Sequence, residues 1–360
     1  MTTRKRKSRV PSACGIGLIA LDLIEHGDST LHYAGGTCGN VLTILAYLGW
    51  NSYPIGRIAS DSAGKVVVSD LQRWGVRTDF LQLHPTARSP VIIERLTVDA
   101  NGIPFHSYGF NCSECGGRLP SYQPVTLRSL ETVTASLSGT DVLFIDRVSP
   151  AAIKIAEFAR EKGALIYFEP TSVRDERQFR KLVSLSHVVK YAQDRILDLN
   201  EICEVPTNIL EIQTLGRGGL RFRFQKRGWH RAAAWPVPTL LDAAGSGDWL
   251  SAVIIHLLAN RGLEGFAESS LTTVSQAINA GQAAAAWNCG FVGPRGGMYQ
   301  RPKTDLFQVI QEAFKSQLRW NALEHSPSQS AAVFTGGICE SCSGTAKPSP
   351  LPRHLDRTLT

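Results

Sequence analysis

Leu240-Leu-Asp-Ala-Ala-Gly-Ser-Gly-Asp-Trp-Leu-Ser-Ala252 is the stretch from which the fold of this chain is read. An apolar strand end gives way to small residues, then to one carboxylate, then to an apolar helix over Trp249 to Leu258. Gly245, Ser246 and Gly247 carry almost no side chain, so their backbone N–H groups are free to converge on one point. That point is a helix N-terminus, where unpaired donors and the helix dipole favour an anion. Asp248 opens the helix beside this anion pocket, placed to take a proton from a hydroxyl. The plain structural alternative for an aspartate at such a junction is a helix N-cap. An anion cradle and a general base within a few residues point to phosphoryl transfer to an alcohol.

Two further segments extend the pattern. Gly35-Gly-Thr-Cys-Gly-Asn40 precedes an apolar helix over Val41–Leu48 that stops at Gly49, and Thr214-Leu-Gly-Arg-Gly-Gly-Leu220 follows a strand over Ile209–Gln213. Gly17 with Asp22, the stretch Ile55-Gly-Arg-Ile-Ala-Ser-Asp-Ser-Ala-Gly64, and Gly75-Val76 complete the series. In this order the chain resembles the ribokinase-like (PfkB) family of carbohydrate and nucleoside kinases, from about Gly17 to about Gly297.

The resemblance implies an α/β fold, three-layered α/β/α with a mostly parallel central sheet and a small β-sheet lid. It implies ATP as donor, with Mg²⁺ and a monovalent cation, and a sugar or nucleoside as acceptor. Asp248 then matches the catalytic base, and the Gly245, Ser246 and Gly247 amides the anion hole. Asp22, Gly35, Gly36 and Asn40 match the positions that hold the acceptor's hydroxyls. Thr214, Gly216, Gly219, Gln282 and Gly293 match the nucleotide site, the first three at a strand end, where open α/β sheets bind ligands. Bland readings stand beside these: a turn residue for Asp22, a helix cap for Asn40, tight-turn glycines, and plain helix packing for Gln282 among its alanines.

The departures from the family pattern matter as well. Asp242 is followed by Ala243 and Ala244 where the family commonly has threonines. The Asn-x-x-Glu element that helps to organise magnesium is absent near Lys190-Tyr-Ala-Gln-Asp-Arg195, which leaves Glu169, Asp194 or water for that task. These losses motivate a rival reading, a slow or inactive kinase kept as a regulatory or scaffold protein.

The composition is compatible with one large domain: 43% hydrophobic and 19% charged residues over 360 positions suffice for a sizeable core. The net charge of +7 is concentrated in Arg4-Lys-Arg-Lys7 and around Leu220-Arg-Phe-Arg-Phe224. The alternation of the latter reads as a hairpin with a basic solvated face, not as a nucleic-acid motif. The basic start followed by apolar residues imitates a secretory signal, but Gly15, Gly17 and Asp22 interrupt it and no cleavage-like site follows. No other run is long enough to span a bilayer. The expectation is a cytoplasmic protein with no membrane or nucleic-acid partner, and with homodimer contacts through the lid.

Strand-like runs (Ile16–Leu21, Val142–Ile145, Leu165–Phe168, Val188–Val189) alternate with helix-like ones (Val41–Leu48, Ala63–Trp74, Ala151–Lys162), as in a parallel sheet covered on both faces. Thr30–Ala34 and Ser89–Phe110, with a turn at Asp99-Ala-Asn-Gly102, are strand-like without helices and make the lid. The boundaries are a basic extension over 1–12, a kinase domain over 13–318 with lid strands at about 25–35 and 88–111, and a Ser/Pro-rich tail over 319–360.

Eight cysteines occur in the chain, and four of them form two similar pairs. Cys112-Ser-Glu-Cys115-Gly-Gly and Cys339-Glu-Ser-Cys342-Ser-Gly each place a small, glycine-containing turn after Cys-x-x-Cys. This is the shape of a zinc knuckle, and two knuckles supply the four thiolates that tetrahedral Zn²⁺ prefers. A redox pair and unrelated thiols are the alternatives. Cys14, Cys38, Cys203 and Cys289 read as small buried hydrophobes, Cys38 being notable for lying inside the acceptor loop.

Overall fold

The computed structural model describes residues 9–27, 29–84, 87–100, 102–134, 137–225, 227–315 and 339. The chain begins with β1 (Ser12–Ile16), β2 (Ala20–His26), β3 (Ser29–Gly35), α1 (Thr37–Tyr47), β4 (Asn51–Ala59), α2 (Ser62–Arg73), β5 (Leu81–His84), β6 (Val91–Val98) and β7 (Pro104–Gly109). Its middle holds α3 (Glu131–Thr134), β8 (Val142–Ile145), α4 (Pro150–Glu161), β9 (Leu165–Phe168), α5 (Glu176–Leu185), β10 (Val188–Ala192), β11 (Leu210–Thr214), β12 (Leu220–Phe224) and β13 (His230–Ala232). The helices α6 (Ser246–Leu258), α7 (Gly262–Ala267), α8 (Leu271–Asn288), α9 (Gly296–Gln300) and α10 (Lys303–Lys315) follow.

Nine strands form one sheet in the order β13-β12-β11-β10-β9-β8-β1-β4-β5. It is parallel throughout except at the β11–β12–β13 edge, where the basic alternating segment forms the expected antiparallel hairpin. The strand residues alternate between two cores, as the period of two requires. Val142 and Phe144 join one hydrophobic cluster with Leu165 and Tyr167, and Leu143 and Ile145 join the other with Ile166 and Phe168. Helices α1, α6, α8 and α10 cover the first face, and α4 and α5 the second. The three-layer α/β/α expectation holds.

A second sheet, β3-β2-β6-β7, is the lid. Its turn is closed by Asp99, whose carbonyl accepts from the Gly102 N–H (2.9 Å) and whose carboxylate accepts from the Ile103 N–H (2.9 Å). One boundary needs correction. The single first strand expected over Ile16–Leu21 is two strands, β1 in the large sheet and β2 in the lid. Hydropathy carries across the break because both ends are buried, so periodicity had no means of seeing it.

Several helices start from capping side chains. The Asp61 carboxylate accepts from the Gly64 N–H (2.7 Å), and the Ser149 hydroxyl from the Ala152 N–H (3.1 Å) ahead of Pro150. The start of α6 differs. Its cap residue Gly245 is left-handed (φ 70°) and, among the described residues, no side chain caps it. The donors of its first turn are thereby left without a side-chain partner at the cap.

Candidate active site

Asp248 lies in the first turn of α6, two residues past its start, so the N-cap alternative falls: Gly245 holds that position. Asp248 is 8% exposed, and the Asn40 amide donates to its Oδ2 at 2.8 Å. Asn40 is likewise inside α1 and not its cap, which is Gly36. Its Oδ1 accepts from Arg295 Nε at 3.0 Å. A guanidinium only donates, so this contact fixes which end of the Asn40 amide faces Asp248. Arg295 is itself buried (1% exposed); its Nη2 donates to Asp70 Oδ2 (2.9 Å) and to the Ala34 carbonyl. Tyr299 also donates to Asp70, at 2.9–3.0 Å. Asp248 therefore stands at the end of a hydrogen-bonded chain running from Asp70 through Arg295 and Asn40.

Burial pushes the Asp248 carboxyl well above the usual carboxylate range; the charge of Glu169 adds to this, while Asn40 and Lys190 oppose it. Asp22 on β2 is buried too, and burial raises it to about 7 against the Gly36 N–H and Arg295. The Gly36 N–H donates to Asp22 Oδ2 at 3.4 Å, while Oδ1 has no partner among the described residues. Gly35 makes room for this carboxylate: a Cβ there would lie 1.8 Å from Oδ2. Asp22, Gly36, Asn40, Gly245 and Asp248 line one cavity of about 270 Å³, just below the range of about 300–1,000 Å³ usual for drug-sized ligands.

Glu94, Arg147 and Arg195, which the sequence reading passed over, also line this cavity, as does Tyr108 of the lid. Glu94 on β6 is 1% exposed and its Oε1 has no partner among the described residues. Burial pushes its carboxyl up, with further help from Asp242 and Asp22. The period of two offered a signal, because Ile92 and Glu94 share a lid face. Asp242 anchors the loop before α6 by accepting from the Ala244 and Gly293 N–H groups, both at 2.8 Å. Arg147 pairs with Asp146 at 2.8 Å.

The Gly245–Gly247 segment is more committed than its composition suggested. The Ser246 N–H donates to the Ala243 carbonyl at 3.3 Å, and the Gly247 carbonyl accepts from Lys190 Nζ at 2.8 Å. Lys190 in turn pairs with Glu169 at 2.6 Å, nearly out of solvent. The other Glu169 oxygen accepts from the Ser251 hydroxyl at 2.6 Å. Both oxygens of Glu169 are thus engaged by this chain's own side chains. Asp194 is exposed and does not line the cavity. The segment expected to carry the acidic magnesium element instead puts a cation, Arg195, on the cavity wall.

The residues matched to the nucleotide site do not line this cavity, with the partial exception of Gly293 beside it. Thr214 ends β11, and Gly216 is exposed beyond it. Gly219 packs on the next strand's backbone, where a Cβ would meet the Ala232 carbonyl at 2.2 Å. Gln282 is buried in α8, with no partner for its Nε2 among the described residues. Gly293 sits against Ile24 and Tyr33 of the lid and bonds to Asp242. Cys38 is wholly buried, and burial pushes its thiol up. Cys112, Cys115 and Cys339 come together with all three sulfurs within 4.8 Å of one another; Cys342 lies outside the described residues.

The profile of the "pfkB family carbohydrate kinase" matches residues 13–112, which run from β1 through the acceptor loop and the lid. Over that stretch the chain is similar to the PfkB family of carbohydrate kinases. The chain is 24% identical over 248 residues to a fructokinase of Solanum tuberosum, covering 66% of itself and 74% of that protein. Among solved structures it is similar to the fructokinase of Xylella fastidiosa with bound ATP (TM-score 0.65, 17% identity, 84% of this chain and 98% of that one). It is also similar to the aminoimidazole riboside kinase of Salmonella enterica, solved with its riboside and an ATP analogue (TM-score 0.62, 18% identity, 83% and 100%). No helix among its described residues is long and apolar enough to cross a membrane.

Proposed function

We propose that this chain transfers the γ-phosphoryl group of ATP to an alcohol oxygen of a monosaccharide-sized acceptor. The observation that carries the reading is the convergence of Asp22, Asn40 and Asp248 on one small cavity beside the uncapped start of α6. Asp22 and Glu94 present buried oxygens lacking partners among the described residues, which a polyhydroxylated acceptor satisfies by donating hydroxyls to them. Asp248 takes the proton of the reacting hydroxyl as its oxygen bonds to phosphorus and the bond from phosphorus to the ADP oxygen breaks. The first-turn amides of α6 and the Arg147 and Arg195 cations lie where charge on the migrating group needs stabilising. Mg²⁺ would accompany the nucleotide and offset the charge of its phosphates.

The test is a panel of hexoses, pentoses and nucleosides with ATP·Mg²⁺, read by ADP release. A sugar that turns over and raises the melting temperature supports the proposal. Stabilisation by sugars with no ADP release from any of them would make the protein a binding module. A nucleoside turning over faster than every sugar would assign the acceptor to the other class.

The raised Asp248 carboxyl sets the pH dependence. The base works only when ionised, and burial holds its proton to higher pH, so kcat/KM climbs with pH. The acid limb is expected well above the ordinary carboxylate value of about 4. A pH profile of kcat/KM that is already flat at pH 5.5 contradicts this assignment.

A further inference from the structure

We propose that Cys112, Cys115 and Cys339 are thiolate ligands of one structural Zn²⁺ ion, which fastens Cys339 to the turn that follows the lid. The three sulfurs lie within 4.8 Å of one another although Cys115 and Cys339 are 224 positions apart in the chain. The Cys115 and Cys339 sulfurs are 3.7 Å apart. A tetrahedral ion holding thiolates at about 2.3 Å sets them about 3.8 Å from each other. A disulfide brings two sulfurs to about 2.05 Å and leaves a third without a role. None of the described cysteines is in a disulfide.

The first pair sits on a preformed turn. The Cys112 N–H donates to the Gly117 carbonyl (2.8 Å), the Gly116 N–H to the Cys112 carbonyl (2.9 Å), and Asn111 pairs with Arg118 across the hairpin. Gly116 is left-handed, at φ 70°, so the chain doubles back directly after the second sulfur. Ser113, between the two cysteines, accepts from Arg95 Nη2 at 2.8 Å and donates to Glu25; Arg95 also pairs with Glu25 at 2.8 Å. The turn is thus anchored to β2 and β6, the strands that carry Asp22 and Glu94. Both sulfurs of the pair are aimed before any ion arrives, which lowers the ordering cost of binding.

The soft, all-sulfur donor set selects zinc over the oxygen-seeking Mg²⁺ of the nucleotide. Each thiol releases its proton as it binds, so uptake acidifies the medium. The Cys-x-x-Cys spacing assigns the fourth position to Cys342, outside the described residues; the inference rests on the other three.

The experiment is elemental analysis of the full chain, purified under reducing conditions without chelators or metal-affinity resin. About one Zn²⁺ per chain is expected, absent from Cys115→Ser and Cys339→Ser and retained in Cys203→Ala. Because a variant that fails to fold would mimic loss of a ligand, the wild-type chain is also stripped and titrated with Co²⁺. A tetrahedral thiolate site then shows intense visible d–d bands and sulfur-to-cobalt charge transfer, saturating at one equivalent. Metal-free protein without these bands, full zinc content in Cys339→Ser, or a Cys115–Cys339 disulfide in non-reducing peptide maps would each overturn the proposal. None of these readouts depends on kinase activity.

Discussion

Asp248→Asn is expected to fold as the parent does and to lose transfer, with kcat lowered by about 10²–10⁴-fold. The two side chains have nearly the same shape, and the carbonyl of the replacement amide still accepts from the Asn40 amide that now bonds to Oδ2 at 2.8 Å. What disappears is the capacity to take a proton. Stability is expected to hold or rise, because burial already disfavours the Asp248 charge. Turnover by ADP release and the thermal midpoint, measured together, check this. Parental turnover in a folded Asp248→Asn protein would remove Asp248 from the role of base.

Arg295→Met is expected to be the most damaging change away from the base itself. Arg295 is 1% exposed, and its removal leaves Asp70 with only Tyr299 and the Ala34 N–H as partners among the described residues. Breaking one side of a buried pair costs about 3–5 kcal/mol, read as a lower denaturant midpoint at unchanged slope. Asn40 then loses the contact that fixes its orientation, so kcat falls as well, by about 10–10²-fold. Arg295→Lys keeps the charge but not the fork that reaches Asn40, Asp70 and Ala34 at once. It is expected to recover part of the stability and little of the rate. If both variants keep parental kcat, the relay from Arg295 to Asp248 has no catalytic meaning.

The sequence disclosed what is local. The alternation of β8 and β9 and the helix stops at Gly49, Gly75 and Gly163 are visible because neighbouring residues alone dictate them. That Asp22, Gly36, Asn40 and Asp248 belong together was legible through motif order, though not their hydrogen bonding. Arg295 was not, since its partners Asn40 and Asp70 are more than two hundred positions away and nothing beside it in the chain signals their approach. Glu94 was hidden for another reason: in a lid strand it passes for an exposed carboxylate until the sheet closes over it. The split between β1 and β2 escaped because three buried residues read as continuous strand. The pairing of Glu169 with Lys190 at 2.6 Å was not legible, because Lys190 comes from the neighbouring strand.

That split carries a consequence for fidelity. Three residues join the large sheet to the lid, and Asp146 bolts the joint: its Oδ1 accepts from the Leu18 N–H at 2.9 Å and would lie 1.5 Å from a Cβ on Gly17. Beyond the joint, Asp22 belongs to one sheet, while Asp248 is mounted on the other body. In the proposed reaction a recipient touches both carboxylates at once, and the joint holds them in place relative to one another. On that reading water cannot span the two carboxylates, and ATP hydrolysis without an acceptor is expected to be slow against transfer to a polyol.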